Sequence, residues 1–420
     1  MEETAEEPAE VVARAAALDI GKASLVACVR VPHDTDPSKR RQQVRTFSTT
    51  TPQLLSLRDW LVSQGVTRVV MEATSAYWKP PFYLLEDDIE CWVVNARDVK
   101  NVPGRAKTDK LDALWLCKLN ERGMLRPSFI PPRPQRQLRD LTRYRRTLIQ
   151  ERTREKQRVE KLLEDALIKI SSIVSDIFGV SGRSMLHALA GGQRDPRQLA
   201  QLARGSMRAK MSVLQEALTG HFDDHHAFIL TMMLDRIDTI TADIDKTSRR
   251  IEQAIAPFAE QIAKLDEIPG IGTTGAQEII AEVGTDMSRF PTAGHLVSWA
   301  KFAPQARQSA GKGKPGSTGK GNPWLGGTLG EAAIGAARTA TFLGARYKRV
   351  AKRRGKQRAI VAIGNSLLTI AWHLLSDPDT HFNDLGADHH DRLAPERRKR
   401  QLIRELERLS GQNVTLTDAA

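Results

Sequence analysis

The chain has 420 residues, too many for one ordinary domain, so two or three domains are expected. Its net charge of +13 predicts a polyanionic partner, nucleic acid first and an anionic membrane second. No apolar run approaches the roughly 18 residues that cross a membrane, and residues 1–13 form an acidic tail, expected to be disordered, without the apolar core of a secretory signal.

The three cysteines, Cys28, Cys91 and Cys117, are widely spaced and each lies in an apolar segment. This pattern predicts buried free thiols in a reducing compartment rather than disulfides or a zinc site. We therefore expect a cytoplasmic protein that has no membrane partner.

Residues 14–130 alternate between short β-rich runs and helical patterns. Two apolar runs flank Gly21 and Lys22, which predicts a hairpin. The remaining elements follow in the order strand 44–47, helix 52–64, strand 68–71, helix 77–85, strand 91–94 and helix 111–119. The order β-β-β-α-β-α-β-α is that of the ribonuclease-H-like fold, so an α/β domain of this class is predicted.

Four acidic residues occupy the positions where such a fold gathers its acids. Asp19 ends the first strand, Glu72 ends the fourth, and Asp109 and Asp112 share one face of the last helix. Four converging carboxylates repel unless a divalent cation compensates them, and oxygen ligands select Mg²⁺ or Mn²⁺. Such ions catalyse phosphodiester cleavage. Each acid alone has another interpretation: a first-turn aspartate favoured by the helix dipole, a turn residue or a solvated strand end.

Residues 131–264 are expected to be a helical, coiled-coil linker that also binds nucleic acid. After the Pro-Pro-Arg-Pro break at 131–134, residues 133–161 hold eleven Lys or Arg and four acids. The stripe of Arg139, Arg143 and Arg146 predicts a surface that follows phosphates. An ordinary solvated helix face is the alternative.

Isoleucines farther along this region repeat every seven residues, at Ile237, Ile244 and Ile251, and Phe258 continues the series. This spacing indicates either a coiled-coil seam or a long antiparallel helical hairpin. We expect the region to act as a spacer and an oligomerisation element.

Residues 265–376 are predicted to be a mostly α-helical domain. Pro-Gly-Ile-Gly at 269–272, followed by a helix rich in Ala and Ile, is typical of a helix-hairpin-helix element, whose backbone N–H groups approach a DNA phosphate. A plain glycine-turned helix pair is the alternative. Residues 338–358 hold nine Lys or Arg and no acid, including Arg349 and Arg353, and predict a second basic helix.

A flexible basic loop is expected at 305–324, with Ser309 and Ser317 as candidate phosphate-facing nucleophiles. Its lysines Lys312, Lys314 and Lys320 are candidate nucleic-acid contacts. A simple linker is the alternative. Residues 377–420 form a charged tail.

Longer motifs resemble a known family. VVMEATSAYW (69–78), NARDVKNVPGRAKTDKLDA (95–113) and RPSFIPP (126–132) resemble the N-terminal domain of DEDD-type insertion-sequence transposases, the "IS one-ten" family. IPGIG, the Trp299 region, SAGKGK (309–314) and GKGNPWL (319–325) resemble that family's C-terminal domain.

This resemblance implies a bacterial recombinase with a RuvC-like domain, Mg²⁺, assembly into at least a dimer, and an element-encoded guide RNA that pairs with double-stranded donor and target DNA. It implies a nucleoid-associated cytoplasmic location. The family's catalytic acids fall on Asp19, Glu72, Asp109 and Asp112, and its serine falls on Ser309. One departure is Lys301, where the family usually has Gly.

Two other functions stay open. A junction-resolving or repair nuclease would use only the four acids and would leave no covalent adduct. A non-catalytic DNA- or RNA-binding relative would keep the fold without the reaction.

Overall fold

The computed structural model describes residues 12–36, 39–95, 108–304, 307–309, 312–314, 316, 318–393 and 395–414. Most of the acidic tail and Ser317 therefore lie outside the described residues. The chain divides into two compact units, Met1–Pro131 and Pro132–Ala420. The first is mixed α/β and the second is mostly helical, which confirms the predicted fold class at that level.

The first unit is built on one five-stranded sheet. Its elements in chain order are β1 (Ala15–Ile20), β2 (Ser24–Pro32), β3 (Arg40–Ser48), α1 (Thr51–Ser63), β4 (Arg68–Glu72), α2 (Lys79–Leu85), β5 (Glu90–Val94) and α3 (Asp109–Glu121). The strand order is β3-β2-β1-β4-β5. Strand β1 runs antiparallel to β2 and parallel to β4, and β4 runs parallel to β5.

Helices cover both faces of this sheet, because alternate residues of the central strands are apolar on either side. Ala16 and Leu18 of β1 belong to the core with residues of α1 and α2. Ala15 and Ala17 belong to the core with α3. Two of the cysteines, Cys28 and Cys117, are buried in this second core, and all three are unbridged.

The second unit begins with helices α4 (Arg133–Asp165), α5 (Ile170–Ile173), α6 (Val180–Ala190), α7 (Pro196–Gln201), α8 (Met211–Ala217) and α9 (Asp224–Ile255). Helices α4 and α9 form a long antiparallel hairpin: Leu138 shares a core with Ile251, and Leu148 shares one with Ile244. The isoleucine repeat therefore faces α4 of the same chain. Helices α5 to α8 form a separate core at the far end with residues such as Val159.

The remaining elements are α10 (Ala259–Asp266), α11 (Thr273–Val283), α12 (Ala293–Trp299), β6 (Arg307–Ser309), β7 (Lys312–Lys314), α13 (Pro323–Ala337), α14 (Phe342–Arg354), α15 (Lys356–Ser376), α16 (His389–Arg392) and α17 (Pro395–Ser410). Three 3₁₀ turns, Gly205–Lys210, Ala256–Phe258 and Met287–Arg289, complete the described elements. The basic stretch predicted as one helix is two helices, because Gly355 adopts φ +85° between α14 and α15.

Helix α15 is long and apolar enough, by length and composition, to cross a membrane, although no segment of that kind was expected. One of its faces packs into the core of the second unit through Ile363, Leu367 and Leu368, all 0% exposed. The same test is passed by the core helices of globular proteins.

The turn at 269–272 joins α10 to α11, as the glycines predicted. Gly270 adopts φ +92°, and a Cβ there would overlap the carbonyl oxygen of Ala332 in α13. The position requires glycine because the backbones of the turn and α13 approach closely. Packing therefore accounts for Gly270 without a bound phosphate.

Candidate active site

Asp19 and Glu72 lie at neighbouring positions on adjacent strands. Strands β1 and β4 pair in parallel with Leu18 opposite Met71, so the next residue of each strand is one of the two acids. Ala17 and Val70, two residues earlier, both belong to the core beneath α3. Because side chains alternate along a strand, both acids belong to the face that α3 covers. Both are half-buried.

Helix α3 brings the other two acids to the same edge of the sheet. Near its carboxyl end, Asn120 Nδ2 donates to the backbone oxygens of Ala16 (3.0 Å) and Arg68 (3.3 Å), near the starts of β1 and β4. The helix therefore runs back along these strands, and its first turn lies toward their carboxyl ends. That turn holds Asp109, which is exposed, and Asp112, which is half-buried.

Local sequence explains where α3 begins. Thr108 is the N-cap, and its side-chain oxygen accepts from Leu111 N at 3.3 Å. This bond satisfies one of the unpaired N–H groups of the first turn. The acids at 109 and 112 add favourable charge at the positive end of the helix dipole. Residues 96–107, which include most of the motif before the helix, lie outside the described part of the chain.

The four acids lie toward the same edge of the sheet but do not close around one point. Within the described ranges, no group of three or more His, Cys, Asp or Glu is near enough to hold a metal ion. The donor set nevertheless fits a hard divalent cation, because all four side chains offer carboxylate oxygens.

Ser309 belongs to the second unit and ends strand β6. Strands β6 and β7 pair antiparallel, with Ser309 opposite Lys312 and Arg307 opposite Lys314. The loop expected from the sequence therefore contains a short two-stranded ladder. Lys320, farther along, is exposed.

Two family models match this chain. The transposase model for DEDD enzymes of the IS110 type matches residues 16–168, and the Transposase IS116/IS110/IS902 family model matches residues 262–348. The first range contains the four acids and the second contains Ser309. The chain belongs to the IS110 family of transposases. Comparison with curated proteins gave no match.

The predicted family is thereby confirmed, and the protein is an enzyme, a DNA transposase. DNA is its partner, and the DEDD domain indicates dependence on a divalent metal. Assignment of the individual acids and of Ser309 stays a prediction.

One lysine of the transposase has unusual backbone geometry. Lys301 adopts φ +62°, in the left-handed region that favours glycine. It follows the C-cap of α12: its N–H bonds to Ser298 O (3.1 Å) and the N–H of Phe302 bonds to Val297 O (3.0 Å). These two bonds form a Schellman motif, in which the left-handed residue is usually Gly.

The arginine stripe of the transposase packs inside the second unit. Arg143 donates to both carboxylate oxygens of Glu282, at 2.7 and 2.8 Å. Arg139 reaches the same carboxylate at 3.3 Å, and Arg146 pairs with Glu278 at 2.9 Å. The three arginines do share one face of α4, but that face contacts α11. Their role in phosphate binding stays a prediction, whereas their ion pairs give them a role in packing.

Sequence reasoning missed the two carboxylates of α11. Glu278 and Glu282 lie four residues apart in a segment that is otherwise apolar, and Glu282 is 2% exposed. Acids inside an apolar helix are rarely buried unless they are paired. The presence of two acids in an otherwise apolar helix is therefore the sequence feature that could have predicted buried ion pairs here. On α14, by comparison, the predicted contacts Arg349 and Arg353 are exposed.

Proposed function

We propose that this transposase cleaves and rejoins DNA with a RuvC-like acid site and with Ser309 as the nucleophile. The observation that supports the acid site is the register of β1 and β4. It places Asp19 and Glu72 side by side, at the edge toward which the first turn of α3 lies. The described elements of the first unit also follow one another in the order predicted for the ribonuclease-H-like fold, which supports the proposal.

In this proposal Asp19, Glu72, Asp109 and Asp112 hold Mg²⁺, or Mn²⁺, in the assembled complex. The ion supplies Lewis acidity at the scissile phosphate. Ser309 Oγ forms an ester bond with phosphorus while a backbone P–O bond breaks, and the DNA hydroxyl that leaves takes up the serine proton. The ester conserves the energy of the broken bond for rejoining, which release by water would not do.

DNA contacts are proposed for the cations nearest the serine and for α14. Lys312 and Lys314 lie on the strand paired with Ser309, and Lys320 follows in the same segment. Arg349 and Arg353 supply a second basic surface. The helix-hairpin-helix turn at 269–272 is proposed to contact the DNA backbone.

We further propose a cytoplasmic, nucleoid-associated homodimer or larger assembly that is guided by an element-encoded RNA. The net charge of +13 supports a polyanionic partner. Removing copurified RNA with ribonuclease should abolish the choice of target site. Unchanged site choice after that treatment would disprove RNA guidance.

The site is tested with two variants and one control. Asp112→Asn should abolish strand cleavage and leave DNA binding largely intact, because it removes a charge and little volume. Ser309→Ala should abolish the protein–DNA adduct that survives denaturing electrophoresis. Asp59→Asn, an exposed change on α1 in the same unit, should retain both reactions.

The same variants test the alternative of a metal-dependent nuclease. Such an enzyme loses activity in Asp112→Asn but cleaves normally, and without an adduct, in Ser309→Ala. A wild type that cleaves but never forms the adduct would disprove the serine mechanism. Wild-type cleavage by Asp112→Asn would remove the assignment of the acid.

A further inference from the structure

The segment that carries Ser309 leaves the helical core and returns to it at nearly the same place. It leaves after α12 and returns at Gly321, just before α13. A Cβ at Gly321 would lie 2.5 Å from Ala300 O and 3.2 Å from Lys301 Cβ. The two ends of the segment are therefore in contact, and they form a common base for β6 and β7.

The outgoing end is held by α15. A Cβ at Gly364 would overlap the ring of Phe302, so this ring occupies a notch that only glycine allows. Beside the notch, Asn365 Nδ2 donates to Phe302 O at 3.3 Å.

The returning end is held by one side chain with two functions. Asn322 is the N-cap of α13, and its Oδ1 accepts from Trp324 N at 3.0 Å and from Leu325 N at 3.4 Å. Its Nδ2 donates to Glu282 Oε2 at 2.5 Å. The capping oxygen fixes the start of the helix, while the amide nitrogen ties that start to α11.

Glu282 also binds the α4–α9 hairpin. The carboxylate is 2% exposed and pairs with Arg143 and Arg139 of α4. The Arg143 guanidinium lies 5.6 Å from the ring centroid of Trp324, the second residue of α13. Because Asn322, Arg139 and Arg143 all contact the Glu282 carboxylate, these groups form one connected network.

We propose that Glu282 and Asn322 are a positioning pair that couples α4 to the base of the Ser309 segment. The pair does not touch the reacting atoms. It sets where the segment joins the start of α13, so a displacement of the α4–α9 hairpin is passed to the serine. The inference rests on the proposed function for its catalytic consequence, but the coupling itself is a property of the second unit.

Asn322→Ser separates the two functions of this side chain. Serine caps a helix about as well as asparagine, but it has no amide to reach Glu282. Asn322→Asp keeps the size and the cap but places a second carboxylate against Glu282. Thr341→Ser, at the N-cap of α14, is the matched control, because it changes a cap that does not contact the network.

In Asn322→Ser, amides at both ends of the segment, 299–304 and 318–325, should exchange with deuterium roughly tenfold faster than in the wild type. This is about the effect expected from the loss of one hydrogen bond to a charged group. Adduct formation at saturating DNA should slow about ten- to a hundredfold. The DNA concentration for half-saturation should match that of Thr341→Ser, and the melting temperature should fall by only about 2–4 °C. Asn322→Asp should be impaired at least as strongly.

Unchanged exchange in both Asn322 variants would overturn the coupling. Faster exchange with an unchanged adduct rate would overturn the positioning role. If the wild type itself forms no adduct, the serine mechanism fails. The coupling is then decided by exchange alone, so the two failures can be distinguished.

Discussion

Among single residues, Lys301 stands out because its backbone conformation is unfavourable for a residue with a side chain. The Schellman bonds at the end of α12 require a left-handed residue, and a lysine there brings its Cβ close to the carbonyl oxygen. The segment that carries Ser309 starts at this strained position.

Lys301→Gly should raise the free energy of unfolding by about 1 kcal/mol, the cost of left-handed geometry less the added entropy of the unfolded chain. The measurement is denaturant unfolding followed by circular dichroism. Lys348→Gly, an exposed change inside α14, should instead destabilise by about 1 kcal/mol. Equal destabilisation by both changes would show that position 301 is not strained.

At the scale of elements, α4 shows that a basic stripe is not by itself a nucleic-acid surface. Three arginines share a face, and all three make ion pairs within the second unit, Arg146 also with Glu331 at 2.5 Å. The cations Arg154 and Lys161 lie on the exposed side of the same helix. Arg154 and Lys161, rather than the arginine stripe, are therefore the residues of α4 that we expect to contact phosphate.

Replacing Arg139, Arg143 and Arg146 by alanine should therefore destabilise the protein by about 3–5 kcal/mol, because Glu282 is left buried without its arginine partners. The salt dependence of DNA binding should change little. The control variant, Arg154→Ala with Lys161→Ala, should keep its stability and flatten the slope by about 0.9 for each phosphate that no longer meets a cation. A stable triple variant whose slope falls by about two to three would restore the stripe as a phosphate surface.

At the scale of the whole molecule, the acids and the serine belong to different units. Asp19, Glu72, Asp109 and Asp112 lie within Met1–Pro131, and Ser309 lies within Pro132–Ala420. Each unit has its own hydrophobic core. The proposed function requires the acids and the serine to meet, and we expect them to do so between two protomers.

Complementation tests this arrangement. Asp112→Asn and Ser309→Ala should each form no adduct alone, and an equal mixture should recover it if acids and serine come from different protomers. Mixing Asp112→Asn with the double variant should recover nothing, because no intact acid site is present. If the first mixture stays inactive in protein that light scattering shows to be oligomeric, the acids and the serine of one site come from the same chain.

Features that depend on near neighbours in the chain could be predicted from the amino-acid sequence. Short apolar and β-rich runs placed the strands, and the order of elements placed Asp19 and Glu72 at strand ends. The acids at 109 and 112 indicated the first turn of α3, which begins at Asp109 rather than at the predicted residue 111. These signals act over a few residues, through strand propensity and the preference of the first helical turn for acids, so they can be recognised without knowing the packing.

The pairing of charged residues, in contrast, could not be predicted without the packing of the helices. Arg143 and Glu282 are 139 positions apart, and the sequence around either residue does not indicate that the other is its partner. Gly270 can be recognised from the sequence as a turn glycine. Glycine is also required there because the backbone of Ala332 in α13 leaves no room for a Cβ. A buried ion pair forms where packing excludes water from both partners, and that exclusion exists only once the helices have come together.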